Sequence, residues 1–215
     1  LVREQVQPYV IRTEKREAVD FAGNALFKPR TTFLEPISWE IRHQRQQGLY
    51  KAVSRYVSQG YAVANREKNQ SVGFLMVLMQ RLVTSSTRAI RHALEKRLQV
   101  LEEGAPGITY RVADFDDLDS QELLDSVLDV IEVVQDEVTE VWRLVNIAKQ
   151  CELEYEDAKA EYLIDLIHRL ELELREPGMK LLIFTEFLAT QDMLREHLEG
   201  KGCKVTTING SMDIE

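Results

Sequence analysis

A short apolar run near the C-terminal end of the sequence places the strongest constraint on the fold. Leu181 to Phe184 are four consecutive apolar residues, which is typical of a strand buried on both faces of a parallel sheet. A turn and an amphipathic helical pattern follow, with Gly200 or Gly202 available to end the helix. Lys204 to Ile208 then supply a second short strand. Residues 179–211 are therefore predicted to form one βαβ unit with a right-handed crossover.

Long helices are predicted in the middle of the chain. Seven apolar residues alternate at spacings of three and four, the pattern of a coiled-coil seam: Leu124, Val127, Ile131, Val134, Val138, Val141 and Val145. A second helix carries a similar stripe: Leu163, Ile167, Leu170 and Leu174. Two such seams in one chain are expected to pack as an antiparallel hairpin, and packing against a partner's helix is the open alternative.

The charge is divided unevenly between the two halves of the chain. Residues 1–100 hold 17 Lys or Arg and 8 Asp or Glu, a net charge of +9, whereas residues 101–215 hold 10 and 28, a net charge of −18. Only the first half is suited to a polyanion, because phosphate binding depends on cations. Five basic residues recur in one helical region: Arg81, Arg88, Arg91, Lys96 and Arg97. They form either a stripe that faces DNA or ordinary solvated helix charges.

The residue patterns of several kinds of chemistry are missing from the sequence. There is no G-x-x-x-x-G-K-[ST] phosphate loop and no D-E-x-H run. The four histidines lack zinc-ligand spacing, and the aspartates of residues 114–119 lack the glycine and closing glutamate of a calcium loop. Ser85 and Ser86 have no nucleophile-elbow motif around them, so helix capping at a bend is the better interpretation. We predict no catalytic and no metal-binding residue.

Cysteine usage and hydropathy indicate a cellular compartment. The two cysteines, Cys151 and Cys203, lie far apart and form no disulfide framework, which favours a reducing environment. No apolar run approaches the roughly 20 residues of a membrane span, and no signal peptide is recognisable. We therefore expect a soluble, cytoplasmic protein with no membrane partner.

Several sequence motifs, in the order in which they occur, resemble those of a known family. They are I-R-T-E-K-R at 11–16, L-Y-K-A-V-S-R-Y-V at 49–57, M-Q-R-L-V-T-S-S-T-R-A-I at 79–90, D-A-K-A-E-Y-L-I-D-L-I at 157–167, and the predicted βαβ unit. Together they resemble the middle section of Swi/Snf-type DNA-dependent ATPases, which are helicase-like motors, and within these the bacterial RapA-like branch.

The resemblance implies a fold class and a division of the chain. The fold would be mainly α with a C-terminal α/β portion, in which long helices and an antiparallel coiled-coil-like hairpin precede the first βαβ unit of a RecA-like lobe. The implied sections are the exit of lobe one with an extended connector at 1–48, a helical inter-lobe region at 49–103, an acidic helical hairpin insertion at 104–178, and the incomplete start of lobe two at 179–215.

The resemblance also implies a function for the parent protein. Such motors use ATP and magnesium to move along double-stranded DNA, and this section would contain neither half of the ATP site. The implied nucleic-acid-binding residues are Thr185, Asn209, Gly210 and Ser211, to which the basic region adds Arg81 and Arg88. Two alternatives remain open. One is a structural module that binds a protein partner through its acidic helices, and the other is a stand-alone regulatory protein descended from such an ATPase.

Overall fold

The computed structural model describes residues 15, 17–27, 31–103, 137–175 and 178–210. The chain divides into two compact units, Leu1–Pro36 and Ile37–Glu215. The predictions made for residues 104–136, which include the first four residues of the seam, and for Ser211 lie outside the described residues.

The first unit contains a tight turn around Asp20. The Asp20 carboxylate accepts hydrogen bonds from the backbone N–H groups of Ala22 and Asn24, each at 2.8 Å. Gly23 takes a positive φ of 83° that favours glycine, and Val19 and Ala25 form an isolated antiparallel bridge. Hydrogen bonds from the side chain and backbone of Asn24 hold the pKa of Asp20 below its ordinary value.

The second unit is built from α-helices. A 3-10 turn at Ile41–His43 leads into α1 (Gln44–Glu67), α2 (Gln70–Ser85), α3 (Thr87–Glu103), α4 (Glu137–Glu154), α5 (Ala158–Leu174) and α6 (Leu188–Gly200). The principal pairs are α1 with α2 and α3 with α4, and α2–α3 and α1–α4 contacts close a four-helix body. We call α1–α4 the helical body and residues 178–210 the C-terminal segment. The prediction of a mainly α fold is confirmed for the described residues.

Local chemistry explains where several helices begin. The Asn69 side chain accepts a hydrogen bond from the backbone N–H of Val72 at 3.1 Å and caps α2. Ser86 does the same for α3 through the backbone N–H of Ala89 at 3.0 Å, which confirms its capping role. Asp157 caps α5 through the backbone N–H of Lys159 at 3.0 Å.

The core of the second unit lies mainly between the facing sides of the helical body. Its fully buried apolar residues include Leu49, Val53, Leu75, Met79, Leu82, Ile90, Leu94 and Leu144. Helices α1 and α2 approach closely where Gly60 faces Met76. A Cβ on Gly60 would lie 2.4 Å from the Met76 sulfur, so a side chain at this position would require the buried Met76 side chain to move.

The predicted hairpin pairing is wrong where both of its helices are described. Helix α4 packs chiefly against α3 and α1, and α5 is not among its main neighbours. The buried stripe of α4 is also different from the predicted seam: Glu137, Val141, Leu144, Val145, Ala148 and Cys151 are buried, whereas Val138 is exposed. The physical reason is that α4 contacts two helices, which widens its buried face, while Arg97 pairs with Glu137 in the interior.

The C-terminal segment contains the predicted helix, but no strand is assigned within residues 178–210. Helix α6 ends at Gly200, one of the two glycines predicted as its stop, and the other, Gly202, follows with a φ of 86°. Exposure alternates along residues 203–209 with a period of two, and Leu182 and Phe184 are more exposed than Leu181 and Ile183. This alternation is typical of extended chain. A strand also needs hydrogen-bonding neighbours, and residues 181–184 gain none among the described residues.

None of the described helices combines the length and the apolar character needed to cross a bilayer.

Candidate nucleic-acid interface

Two parts of the C-terminal segment meet at the N-terminal end of α6. The backbone N–H of Cys203 donates to the carbonyl of Leu198 at 3.0 Å, near the end of the helix. At its beginning, Gln191 donates to the carbonyl of Ile208 and accepts from the Asn209 side chain, both at 3.0 Å. Residues 203–209 therefore run antiparallel to α6 and bring Asn209 and Gly210 to the end where the loop of Thr185 enters the helix.

Arg81 reaches the same end of α6 from the helical body. Its guanidinium forms an ion pair with the carboxylate of Glu186, the residue next to Thr185. The two side chains are 46% and 34% exposed, so the pair is accessible to solvent. Of the six predicted residues, Arg81 and Asn209 make contacts near the start of α6, and Thr185 and Gly210 lie next to these contacts in the chain.

Arg88 lies away from this group of residues. Its guanidinium donates to Glu152 and to Glu196, each at 2.7 Å. Glu196 is five residues beyond Gln191 in α6, or roughly 7.5 Å further along the helix axis. Burial opposes the charge of Arg88, but hydrogen bonds to Glu196 and Glu152 outweigh it and raise the guanidinium pKa. The geometry assigns Arg88 to an ion pair between helices, where only 22% of its side chain is exposed.

The ion pair of Arg88 belongs to a larger network on α3 and α4. Arg91 also forms an ion pair with Glu152, and its guanidinium lies 2.7 Å from the Glu95 carboxylate. The ammonium of Lys149 lies 3.1 Å from the same carboxylate of Glu95. Burial raises the pKa of Glu152, but hydrogen bonds from Arg91 and Arg88 outweigh it and leave the pKa lowered. With Glu196, the network contains three cations and three carboxylates, so its formal charge is zero.

Arg97 lies in the protein core. Its guanidinium donates to both carboxylate oxygens of Glu137, at 2.9 and 3.1 Å, and the Tyr56 hydroxyl donates to the same carboxylate at 2.7 Å. Burial, reinforced by the charge of Glu137, raises the pKa of Tyr56 far above its ordinary value. Both sequence interpretations are therefore wrong for Arg97, which is neither a surface charge nor available to DNA.

Hydroxyl groups join α6 to the bend between α2 and α3. The Ser85 and Ser86 hydroxyls each lie 2.8 Å from the Thr190 hydroxyl, which is buried. Sequence reasoning missed Thr190, because a single threonine in the first turn of a helix carries no distinctive pattern.

Asp157 joins three helices at one carboxylate. It accepts hydrogen bonds from the backbone N–H of Thr87 at 3.0 Å and from the Gln46 side chain at 2.8 Å, while it caps α5. Gln46 completes the junction by accepting from the backbone N–H of Ala158 at 2.9 Å. The preference of aspartate for a position before a helical run signals the cap. The contacts to Gln46 and Thr87 had no sequence signal.

The residues that the structure describes contain no group of three or more His, Cys, Asp or Glu side chains arranged to hold a metal ion. A cavity of about 270 Å³ lies beside Trp39, Tyr50 and Lys159. Its Asp157 carboxylate already accepts three hydrogen bonds, and the ammonium of Lys159 donates to the carbonyl of Thr84.

Comparisons with known proteins give no relative from which a function could be transferred. No protein-family model, no curated protein and no solved structure matches the chain.

Proposed function

We propose that the chain is an inter-lobe section of a Swi/Snf-type, RapA-like DNA-dependent ATPase that contacts the DNA backbone at the N-terminal end of α6. The observation that carries this proposal is the meeting of Arg81, Thr185 and Asn209 at one end of α6. They come from three separate parts of the sequence.

The arrangement around α6 supports the α/β part of the proposal. Residues 181–184 lead into α6, and residues 203–209 return along it toward the same end, the chain order of a parallel βαβ unit. The exposed side chains of Leu182 and Phe184 are those that helices packed on one face of a RecA-like sheet would cover.

The residues at this end of α6 suit a contact with phosphate. A guanidinium such as that of Arg81 binds phosphate oxygens in a bidentate manner, and the Thr185 hydroxyl can donate a further hydrogen bond. Gly210 has no side chain to hinder approach of the backbone to a phosphate. Such contacts do not identify bases, so binding should be independent of DNA sequence. ATP and magnesium would be bound by other parts of the parent protein.

Fluorescence anisotropy of the 215-residue chain with two unrelated duplexes tests the proposal. We expect similar affinities for both, and a fall in affinity between about 50 and about 200 mM salt. Arg81→Ala and Thr185→Ala should weaken both complexes equally, because phosphate contacts carry no base information.

The matched control for charge is Arg66→Ala. Arg66 is exposed and comes before the start of α2 in the chain. The start of α2 is itself roughly 16 Å of helix from Arg81. An equal loss of affinity in this control would show that the effect is general charge and would contradict the assigned position. A folded chain that binds neither duplex would contradict the DNA proposal and favour the protein-interaction module.

A further inference from the structure

Two arginines of the helical body are paired with carboxylates of the C-terminal segment. Arg81 on α2 binds Glu186, and Arg88 on α3 binds Glu196. The arginines come from the half of the sequence with a net charge of +9, and both glutamates come from the half with −18. At these positions, basic residues of the first half of the sequence therefore bind acidic residues of the second half.

The C-terminal segment is attached to the rest of the second unit through both apolar and polar side chains. Its buried residues among those described are Phe187, Thr190 and Leu198. The other attachments are the Thr190 hydroxyl contacts, the two arginine pairs, and an ion pair of 3.3 Å between Lys201 and Glu156. Salt weakens ion pairs between exposed groups, so this attachment is sensitive to ionic strength.

The partly exposed ion pair between Arg81 and Glu186 should contribute little free energy and should therefore break readily. A solvent-exposed ion pair contributes only about 0–1 kcal/mol, whereas removal of one partner from a buried pair costs about 3–5 kcal/mol. Arg81 and Glu186 are both partly exposed, in contrast to Arg97 and Glu137 in the core. A guanidinium presents the same fork of donors to carboxylate and phosphate, so the two anions compete for it.

We infer that Glu186 and Glu196 mask Arg81 and Arg88 from DNA phosphates, and that this masking limits the affinity of the chain for DNA. The inference rests on the proposed DNA contact and adds how that contact is regulated. Glu186 and Glu196 hold the two arginines in ion pairs until a DNA phosphate displaces the carboxylates. Arg88 keeps Glu152 as a second partner, so Glu186 should have the larger effect.

The test compares Glu186→Gln, Glu196→Gln and the double variant with Glu199→Gln by anisotropy over a salt series. Glu199 is exposed on the same helix, and its side chain forms no ion pair within the described residues. All single variants remove one negative charge, so general electrostatics affects them alike. When an arginine is released to bind a phosphate, the slope of log affinity against log salt becomes steeper by about 0.9. A general charge effect does not change this slope.

We expect Glu186→Gln to bind about three- to tenfold more tightly than Glu199→Gln at about 50 mM salt, with a slope steeper by about one. Adding Arg81→Ala to Glu186→Gln should cancel both gains. Equal affinity and slope for Glu186→Gln and Glu199→Gln, with wild type still binding duplex, would overturn the masking and leave the DNA proposal intact. Failure of wild type and every variant to bind would overturn both.

Discussion

The helical body and the C-terminal segment bury their apolar residues to very different extents. Leu75, Met79 and Leu82 of the body are completely buried, whereas Leu182 and Phe184 of the segment are 80% and 86% exposed. Burial of a Leu or Phe side chain contributes about 1.5–3 kcal/mol. The body therefore has an extensive core, whereas the segment, which buries Phe187 and Leu198, should add less to the free energy of unfolding.

Ion pairs differ between the two regions in the same way. Arg97 and Glu137 are almost completely buried, and Arg81 and Glu186 are partly exposed. The residue types are identical, so burial alone decides which pair supports the fold and which can exchange its partner.

The largest contrast is expected between Glu137→Ala and Glu186→Ala. The first removes the carboxylate that binds Arg97 in the core and should cost about 3–5 kcal/mol, and the second should change stability by less than about 1 kcal/mol. Urea unfolding followed by circular dichroism measures both. The double variant Arg97→Met/Glu137→Leu, which removes both charges of the pair, should recover much of the loss. Similar stabilities for the two single variants would show that the buried pair does not support the core.

Leucine truncation compares the apolar residues directly. Leu82→Ala should create a cavity and destabilise the chain by about 2–5 kcal/mol. Leu182→Ala removes an exposed side chain and should stay within about 0.5 kcal/mol of wild type. Thermal or urea unfolding gives the two values. A large loss for Leu182→Ala would mean that the segment is covered by other parts of the chain.

One substitution at two glycines compares close packing with open space. Gly60→Val places a branched side chain against Met76 and should destabilise by about 1–3 kcal/mol. Gly200→Val meets no atom within 4 Å and should change stability by less than about 0.5 kcal/mol. Denaturant midpoints decide between them, and an unchanged midpoint for Gly60→Val would show that α1 and α2 separate readily.

The smallest expected effect is on the pH dependence of stability, and it concerns a buried cysteine. Burial, reinforced by the charge of Asp157, raises the pKa of Cys151 to about 11. Above its ordinary pKa the unfolded chain loses the thiol proton while the folded chain keeps it, so wild type should lose stability as pH rises from about 9 to about 11.

Cys151→Ala removes this effect, so over that pH range it should lose on the order of 1–2 kcal/mol less stability than wild type. Urea unfolding at several pH values supplies the comparison. Parallel pH profiles for wild type and Cys151→Ala would contradict it.

Local sequence rules predicted much of the fold. The end of α6 at Gly200 and the cap at Ser86 follow from residue preferences that act within one helical turn. The same rules failed for α4, where the heptad pattern included the exposed Val138 and omitted the buried Leu144. A periodic pattern locates an apolar face, but the number of helices packed against it sets its width.

The sequence by itself determined the helix positions, the uneven charge and the residues that resemble a DNA-dependent motor. Only the tertiary structure decided which charges meet. Arg88 and Glu196 are 108 residues apart in sequence, and Arg81 and Glu186 are 105 apart. Spacing rules describe neighbours within a few residues, whereas partners across helices are chosen by packing. Burial then makes the charge of Arg97 part of the core and leaves that of Arg81 accessible to other anions.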